Sequence, residues 1–266
     1  PQKVEISSDR SYLITGGLGA LGFQVAQWLA HKGARNLILT NRRGLTETTQ
    51  AQVAQLEKTG VQVAVIPTDV SDFDSVRQLL NAIETEMPPL AGVVHAAGVL
   101  ADGMLLNQTR ESFEQAIAPK VAGSWHLHSL TQNIPLDFFI CFSSVSAVLG
   151  SPGQGNYAAA NAFMDALAHY RQELGLPAIS INWGPWAEAG MATNLAEEEQ
   201  NRFSLQGIKP IPLQKGLALL GDLMENPSPQ PTVLSVDWSV FFRQFPSGQI
   251  PPLLKNIAAT TTPSPP

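Results

Sequence analysis

The residues best able to do chemistry lie in one stretch, Ser143-Ser144-Val145-Ser146-Ala147-Val148-Leu149-Gly150-Ser151-Pro152-Gly153-Gln154-Gly155-Asn156-Tyr157-Ala158-Ala159-Ala160-Asn161. Ahead of it, Phe138-Phe139-Ile140-Cys141-Phe142 is short, apolar and aromatic, the pattern of a buried strand. Gly150, Pro152, Gly153 and Gly155 then forbid regular structure, so the strand must open into a loop. Past the loop the pattern turns helical, with Tyr157 and Asn161 four residues apart and therefore on one face. A hydroxyl at a strand end and a phenol on the next helix can converge on one substrate atom.

Something must hold a second reactant beside that point. Tyr12-Leu13-Ile14-Thr15 reads as a short buried strand running into Gly16-Gly17-Leu18-Gly19-Ala20-Leu21-Gly22. The apolar spacing from Leu21 to Leu29 is helical, and Gly33 closes that helix. Strand, glycine turn and helix start are the context of a dinucleotide-phosphate loop. Glycines let the backbone approach a pyrophosphate, and the free N–H groups of the helix start face its charge. A tight strand-to-helix turn without ligand is the alternative reading. The second strand, Asn36-Leu37-Ile38-Leu39-Thr40, ends in Asn41-Arg42-Arg43-Gly44. An acid at that place holds a free ribose 2′-hydroxyl, whereas a 2′-phosphate calls for arginine. Two arginines and no acid favour NADP(H), because guanidinium offers paired donors to phosphate; a solvated basic turn is the alternative.

The alternation continues. Glu47 to Lys58 reads as a helix and Val61 to Ile66 as a strand ending at Thr68-Asp69-Val70, after which Ser71 or Asp72 caps a helix through Ile83. Pro88-Pro89 breaks it before the strand and small-residue turn Gly92-Val93-Val94-His95-Ala96-Ala97-Gly98. Small side chains at Ala96, Ala97 and Gly98 would let the nicotinamide-side ribose lie against the backbone, and Asp69, with Val70 beside it, is placed to contact adenine. Thr109 to Thr131 is helical with a break before Pro119, which puts Lys120 in a first turn; alone, this lysine reads as a surface charge. Ala178 to Asn182 is a strand leading into Trp183-Gly184-Pro185-Trp186-Ala187-Glu188-Ala189-Gly190-Met191, whose tryptophans, proline and methionine would form an apolar cover for a substrate. Glu197-Glu198-Glu199 behind it suits a solvated helix face. Lys215 to Met224 is a late helix and Thr232 to Ser235 a final strand. The repeats imply a Rossmann-like, doubly wound parallel sheet with helices on both faces and a small helical lid over residues 186–210.

Composition agrees with a single α/β domain: 266 residues are enough for a full core, and 44% hydrophobic against 14% charged residues argues against disorder. A net charge of −6 gives no reason to propose nucleic acid as partner. No apolar run is long enough for a membrane span, and no signal-peptide pattern opens the chain. The single cysteine, Cys141, cannot form an internal disulfide and fits a reducing, cytoplasmic compartment. His95, His126 and His128 lack metal-ligand spacing, so no metal is expected. The start at Pro1 and the Pro/Thr-rich end suggest a piece of a longer polypeptide. The expected division is a linker remnant over 1–9, a domain over 10–243 and a linker over 244–266.

Thr15 to Gly22, His95-Ala96-Ala97-Gly98, Ser143-Ser144 and Tyr157-Ala158-Ala159-Ala160-Asn161 together resemble the short-chain dehydrogenase/reductase family. More narrowly, Pro119-Lys120-Val121-Ala122-Gly123 and the Tyr-x-x-x-Asn arrangement resemble the ketoreductase domains of modular polyketide synthases, over roughly residues 10 to 243. Ala20 stands where the wider family more often has glycine. Most short-chain reductases carry Tyr-x-x-x-Lys with an asparagine on the preceding helix. Here Asn161 partners Tyr157, and Lys120 stands on the earlier helix. The resemblance implies a cofactor site of Thr15, Gly16, Gly17, Leu18, Gly19, Ala20, Leu21, Asn41, Arg42, Arg43, Asp69, Val70, Ala96, Ala97, Gly98 and Pro185 for NADPH.

It also implies a mechanism. Hydride reaching a carbonyl carbon puts charge on oxygen, which must be stabilised and protonated. Tyr157 would donate the proton, Lys120 would bring its acidity nearer the working pH, Ser144 would bond the carbonyl oxygen, and Asn161 would support lysine or a water relay. Ser143 and Ser146 read as structural. The implied partners are an acyl carrier protein domain bearing the β-ketoacyl chain and neighbouring synthase domains. Domains that set the L-hydroxyl carry tryptophan eight residues before the tyrosine, where this chain has Leu149. Those that set the D-hydroxyl carry Leu-Asp-Asp after the fourth strand, and here Leu100-Ala101-Asp102 keeps the last aspartate. The proline of epimerising D-type domains is Ala159. The expectation is therefore a D-type (B-type), non-epimerising reductase with Asp102, Leu149, Trp186 and Met191 facing substrate. A free-standing ketone reductase and a catalytically silent scaffold are the rival readings.

Overall fold

The computed structural model describes residues 4–187, 205–246 and 249–261. Its sheet begins with β1 (Ser11–Thr15), β2 (Asn36–Thr40), β3 (Gln62–Val65) and β4 (Leu90–His95), joined by α1 (Ala20–His31), α2 (Glu47–Glu57) and α3 (Phe73–Glu86). Then come α4 (Arg110–Ile117), α5 (Gly123–Thr131), β5 (Phe138–Ser144), the short α6 (Ser146–Leu149), α7 (Gly155–Glu173) and β6 (Ile179–Trp183). β7 (Ile208–Lys209), α8 (Leu213–Glu225), β8 (Thr232–Val233), β9 (Ser235–Val236), α9 (Trp238–Phe241) and α10 (Lys255–Thr261) complete the described α-helices and strands.

Seven strands form one parallel sheet in the order β3-β2-β1-β4-β5-β6-β8. Alternation along the strands feeds both faces. Tyr12 and Ile14 pack with α1 and α8 through Val25, Leu29, Leu217 and Leu220, while Leu13 packs with α3, α5 and α7 through Leu79, Leu127 and Met164. The order reverses between β1 and β4, whose ends pair Thr15 with His95. A parallel sheet opens its ligand crevice at such a reversal, beyond the strand ends.

One open choice of the sequence reading is decided, and two local features differ from it. Asp72 caps α3, taking the Ser75 N–H at 2.6 Å, while Ser71 turns back to Asp69. Pro119 does not break its helix. Lacking an N–H and colliding with a carbonyl four residues back, proline is poorly tolerated inside an α-helix. The chain absorbs it by widening Ala118–Ala122 into a π turn, in which the Gly123 N–H bonds Ala118 O. Lys120 is thus mid-helix and 2% exposed, not in a first turn. The last strand divides, with β8 extending the main sheet and β9 pairing antiparallel with β7.

Within the stretch read as a linker, a 3-10 turn (Pro252–Leu254) leads into α10. Leu254, Ile250 and Ile257 pack on Phe241, Trp238 and Phe242 in a small third core. The Pro/Thr composition had concealed that apolar spacing. Met191 and most of the expected lid lie outside the described residues. No helix among the described residues is long and apolar enough to cross a membrane.

Candidate active site

Two cavities meet at the reversal point. The first, of about 500 Å³, is lined by Ser144, Tyr157 and Lys120; the second, of about 480 Å³, by the glycine loop, Arg42 and Asp69. Leu21 and Ala96 line both, so the two adjoin.

Ser144 ends β5. The Ser146 N–H donates to its Oγ at 3.2 Å, which leaves the hydroxyl proton available to a substrate oxygen. Behind it stands a buried polar frame. Asn182 Nδ2 donates to Ser143 Oγ (3.0 Å), to Ser144 O (3.3 Å) and to Asp165 Oδ2 (2.8 Å). Asp165 also accepts from Ser180 Oγ at 2.6 Å and Gln230 Nε2 at 3.1 Å, and Ser143 Oγ reaches Asn161 O at 3.4 Å. Sequence reasoning missed Asp165 and Asn182. The signal was present, since Tyr157, Asn161 and Asp165 recur every four residues on one face of α7.

Tyr157 is fixed at the start of α7. Asn156 Oδ1 accepts the Tyr157 N–H at 2.8 Å, and Asn156 Nδ2 donates to Ala101 O and Ser112 O, tying this turn to the loop after β4 and to α4. Asn161 Nδ2 donates to Tyr157 O at 2.8 Å, while its buried Oδ1 has no hydrogen-bond partner among the described residues. Lys120 Nζ donates to Phe142 O at 3.0 Å and lies 5.3 Å from the centre of the Tyr157 ring. Burial pushes the Lys120 amine down to about 8, against the pull of Cys141 and Asp165. Burial pushes the Tyr157 phenol up to about 12, opposed by the Asn161 and Ser144 side chains. In this arrangement desolvation outweighs the expected acidification of Tyr157. The ammonium is drawn to a carbonyl and stands over the ring, so desolvation decides the phenol's pKa.

In the second cavity, a Cβ on Gly16 (φ +68°) would stand 2.8 Å from Ala96 O, and one on Gly17 2.7 Å from Ile14 O. The loop lies against the strand ends as only glycine allows. The N-cap of α1, Gly19, brings no side-chain cap, and its first turn holds no acid. Gly19, Ala20, Leu21 and Gly22 line the cavity, so this helix start is open to an anion. Val70, Ala97 and Gly98 line the far wall. Asn41 Oδ1 accepts the N–H groups of Arg43 (3.0 Å) and Gly44 (2.6 Å), a turn that sends Arg42 to the cavity. Arg43 does not line it. Asp69 Oδ1 accepts from Ser71, and that bond, with the Arg42 charge adding to it, holds the carboxyl below its usual range. Thr15 and Gly17 stand behind the lining: Thr15 Oγ1 bonds His95 Nδ1 at 2.7 Å. Burial first, then the Lys120 charge, pushes His95 down to about 3, so it is neutral. A glycine cradle, an uncapped helix start and one facing guanidinium fit an anionic dinucleotide.

Leu149, expected at substrate, lines the first cavity; Pro185, expected at the cofactor, lines that same cavity and not the glycine-loop one. Asp102 is exposed at the mouth, where Gln154 Nε2 donates to its Oδ2 at 2.8 Å and Gly103 N–H donates to Gly153 O. Trp186 is not an outer cover. It is 5% exposed, packs on Trp183 and presses against Gly216, where a Cβ would stand 2.3 Å from the ring. Both tryptophans are wall.

Comparison with known proteins adds independent findings. The model of the family described as KR domain matches residues 10–188. A phenolphthiocerol/phthiocerol polyketide synthase chain of Mycobacterium tuberculosis is 41% identical over 242 residues, which are 91% of this chain and 11% of that protein. Polyketide synthase GfsE of Streptomyces halstedii is 40% identical over 256 residues, 96% of this chain and 7% of that protein. This chain thus spans only a small part of these curated relatives. A solved structure described as an A1-type ketoreductase superposes with a TM-score of 0.89 at 36% identity, over 97% of this chain and 53% of that one. A ketoreductase domain from the bacillaene assembly line gives 0.85 at 36% identity, over 91% of this chain and 60% of that one.

Proposed function

Since the chain belongs to the KR-domain family, the ketoreductases of polyketide synthases within the short-chain dehydrogenase/reductase superfamily, we propose that it reduces a carrier-bound β-ketoacyl thioester to the β-hydroxyacyl thioester with NADPH. The observation that carries this reading is the meeting of Ser144, Tyr157 and Lys120 in a cavity that adjoins the glycine-loop cavity, with Leu21 and Ala96 common to both.

NADPH, when bound, supplies the hydride; the glycine loop and Arg42 would hold it. The chain's own work falls on the substrate oxygen. Ser144, its Oγ already accepting from the Ser146 N–H, donates its proton as a hydrogen bond to the carbonyl oxygen. Tyr157, kept protonated by burial, gives its proton to the developing alkoxide, a stronger base than phenolate. Lys120 then stands beside the new phenolate, whose charge it offsets across the ring. Asn161 Oδ1, buried and without a partner among the described residues, can accept from a relay water that returns the proton. The substrate arrives on an acyl carrier protein domain, beside other domains of a synthase.

Arg42→Ala is expected to weaken NADPH binding by about 10- to 100-fold, the effect of losing charged hydrogen bonds to a phosphate, and NADH binding far less. Arg43→Ala should do little, because Arg43 does not line the cavity. Fluorescence titration with both nucleotides decides it; equal losses would refute the 2′-phosphate assignment.

The hand of the product depends on how the substrate enters. Asp102 at the mouth and Leu149, where L-type domains carry tryptophan, support a D-hydroxyl product with any α-substituent keeping its configuration. Overall likeness to an A1-type structure does not decide this, because the shared sheet dominates such a superposition. Incubation of a β-ketoacyl thioester with NADPH, followed by chiral chromatography, tests the reading twice. Absence of NADPH oxidation would sink the reductase assignment and favour a silent scaffold. A predominantly L-hydroxyl product would overturn the stereochemical type alone.

A further inference from the structure

The wall of the first cavity is uneven in chemistry. Among the described lining residues Lys120 is the only charged one, and it sits with Ser144 and Tyr157. Another part of the wall comes from the third core: Leu149 on α6, Ile208 on β7, then Phe241 and Phe245. This part is built firmly. Asp237 caps α9 by accepting the N–H groups of Ser239 and Val240, and its own N–H donates to Gly207 O at 2.8 Å. Phe241 is 5% exposed and packs on Trp238, with ring centres 5.5 Å apart; Phe245 packs on Phe241 at 5.8 Å. Leu254, ahead of α10, is buried behind them in the same core. The glycine-loop cavity offers Asn41, Arg42 and Asp69 to a nucleotide, and the mouth carries the polar Asp102–Gln154 pair. An aromatic wall inside the same cavity has only the hydrocarbon part of a substrate left to bind.

We propose that Phe241 and Phe245, with Leu149 and Ile208, form the acyl-chain subsite, so that this chain selects β-ketoacyl groups with an extended apolar tail. The inference rests on the reductase reading above and adds the class of substrate. The segment beyond β9 then acts as specificity wall.

The test uses the full chain with two parallel series. One is the rate of NADPH oxidation with N-acetylcysteamine thioesters from acetoacetyl to β-ketodecanoyl. The other is calorimetric binding of saturated acyl thioesters of the same lengths, which lack the ketone. Each methylene laid on the wall should raise kcat/KM and lower Kd by about fourfold, levelling off once the wall is covered. Phe245→Ala should flatten both slopes, the loss growing from about twofold for the shortest chain to tenfold or more for the longest, and Phe245→Leu should restore most of the slope. Gln244→Glu puts a charge on the exposed rim of the same wall and should penalise long chains over short ones without opening the core. A flat parent series, or slopes unchanged by Phe245→Ala or Gln244→Glu, would overturn the subsite. A binding slope that survives without any ketone reduction would instead refute the reductase reading and leave the subsite standing.

Discussion

Tyr157→Phe should bind NADPH as the parent does and lose turnover by about 10³-fold, the usual worth of a positioned proton donor. The ring stays, so its packing beside Lys120 and the start of α7 are kept; only the hydroxyl goes. No other side chain in the described lining of the first cavity is placed to replace it. Ser144 could still bond the carbonyl oxygen, but as a serine it is a poor acid, and Lys120 is turned toward Phe142 O. Nucleotide titration with steady-state rates gives the result directly. A variant within tenfold of the parent would show that the proton comes from elsewhere.

Lys120→Met should separate activity from stability. Turnover should fall by about 100-fold or more, because the charge beside the departing proton is lost. The fold, however, should gain. The amine falls from 10.5 in the open chain to about 8 when folded, so the unfolded chain holds that proton more tightly. Between those two values the unfolded state carries more protons and stability rises with pH; below pH 8 the whole cost is present. That cost is about 3 kcal/mol at neutral pH, and methionine fills the same space without it. A Tm higher by about 5–10 °C at pH 7 is the expected result, shrinking as the pH is raised toward 10.5. Thermal unfolding at neutral and alkaline pH, beside the rate assay, checks both halves. Unchanged turnover would remove Lys120 from the mechanism; an unchanged Tm would mean that its burial carries no penalty.

What the sequence disclosed follows physical lines. Local signals were legible: the glycine loop, the alternation of strands and helices, and the meeting of Ser144 with Tyr157 all rest on short spacings. Features set by distant partners were not. Asn182 looked like the end of a strand, and only the fold puts its amide between Ser143 and Asp165. Arg42 and Arg43 look alike in sequence; the Asn41 turn tells them apart. Trp183 and Trp186 read as a cover because aromatic loop residues so often are, yet Gly216 on α8 leaves the space that draws Trp186 inward. The Lys120 pKa depends on the dryness of its pocket, which no spacing reveals.

The π turn at Ala118–Ala122 makes the length of this helix as consequential as its residues. Along an α-helix each residue advances the face by about 100°. An extra residue would ordinarily turn everything beyond it away from its partners. The wide turn takes up that residue, so Ala116 before it and Leu127 after it both still face the core. Delete one position there and the hydrogen-bond ladder can close in the ordinary way, at no loss to the helix taken by itself; in this molecule one of two seats is then lost. Either Lys120 swings off the cleft, or α5 leaves its packing against α3 and against the loop before α3, where Gly123 already approaches Val70 so closely that a Cβ would stand 2.9 Å from it. A deletion that improves local helicity would thus abolish function with every named catalytic residue still encoded. Alignment gaps in this segment carry the same meaning as a substituted tyrosine.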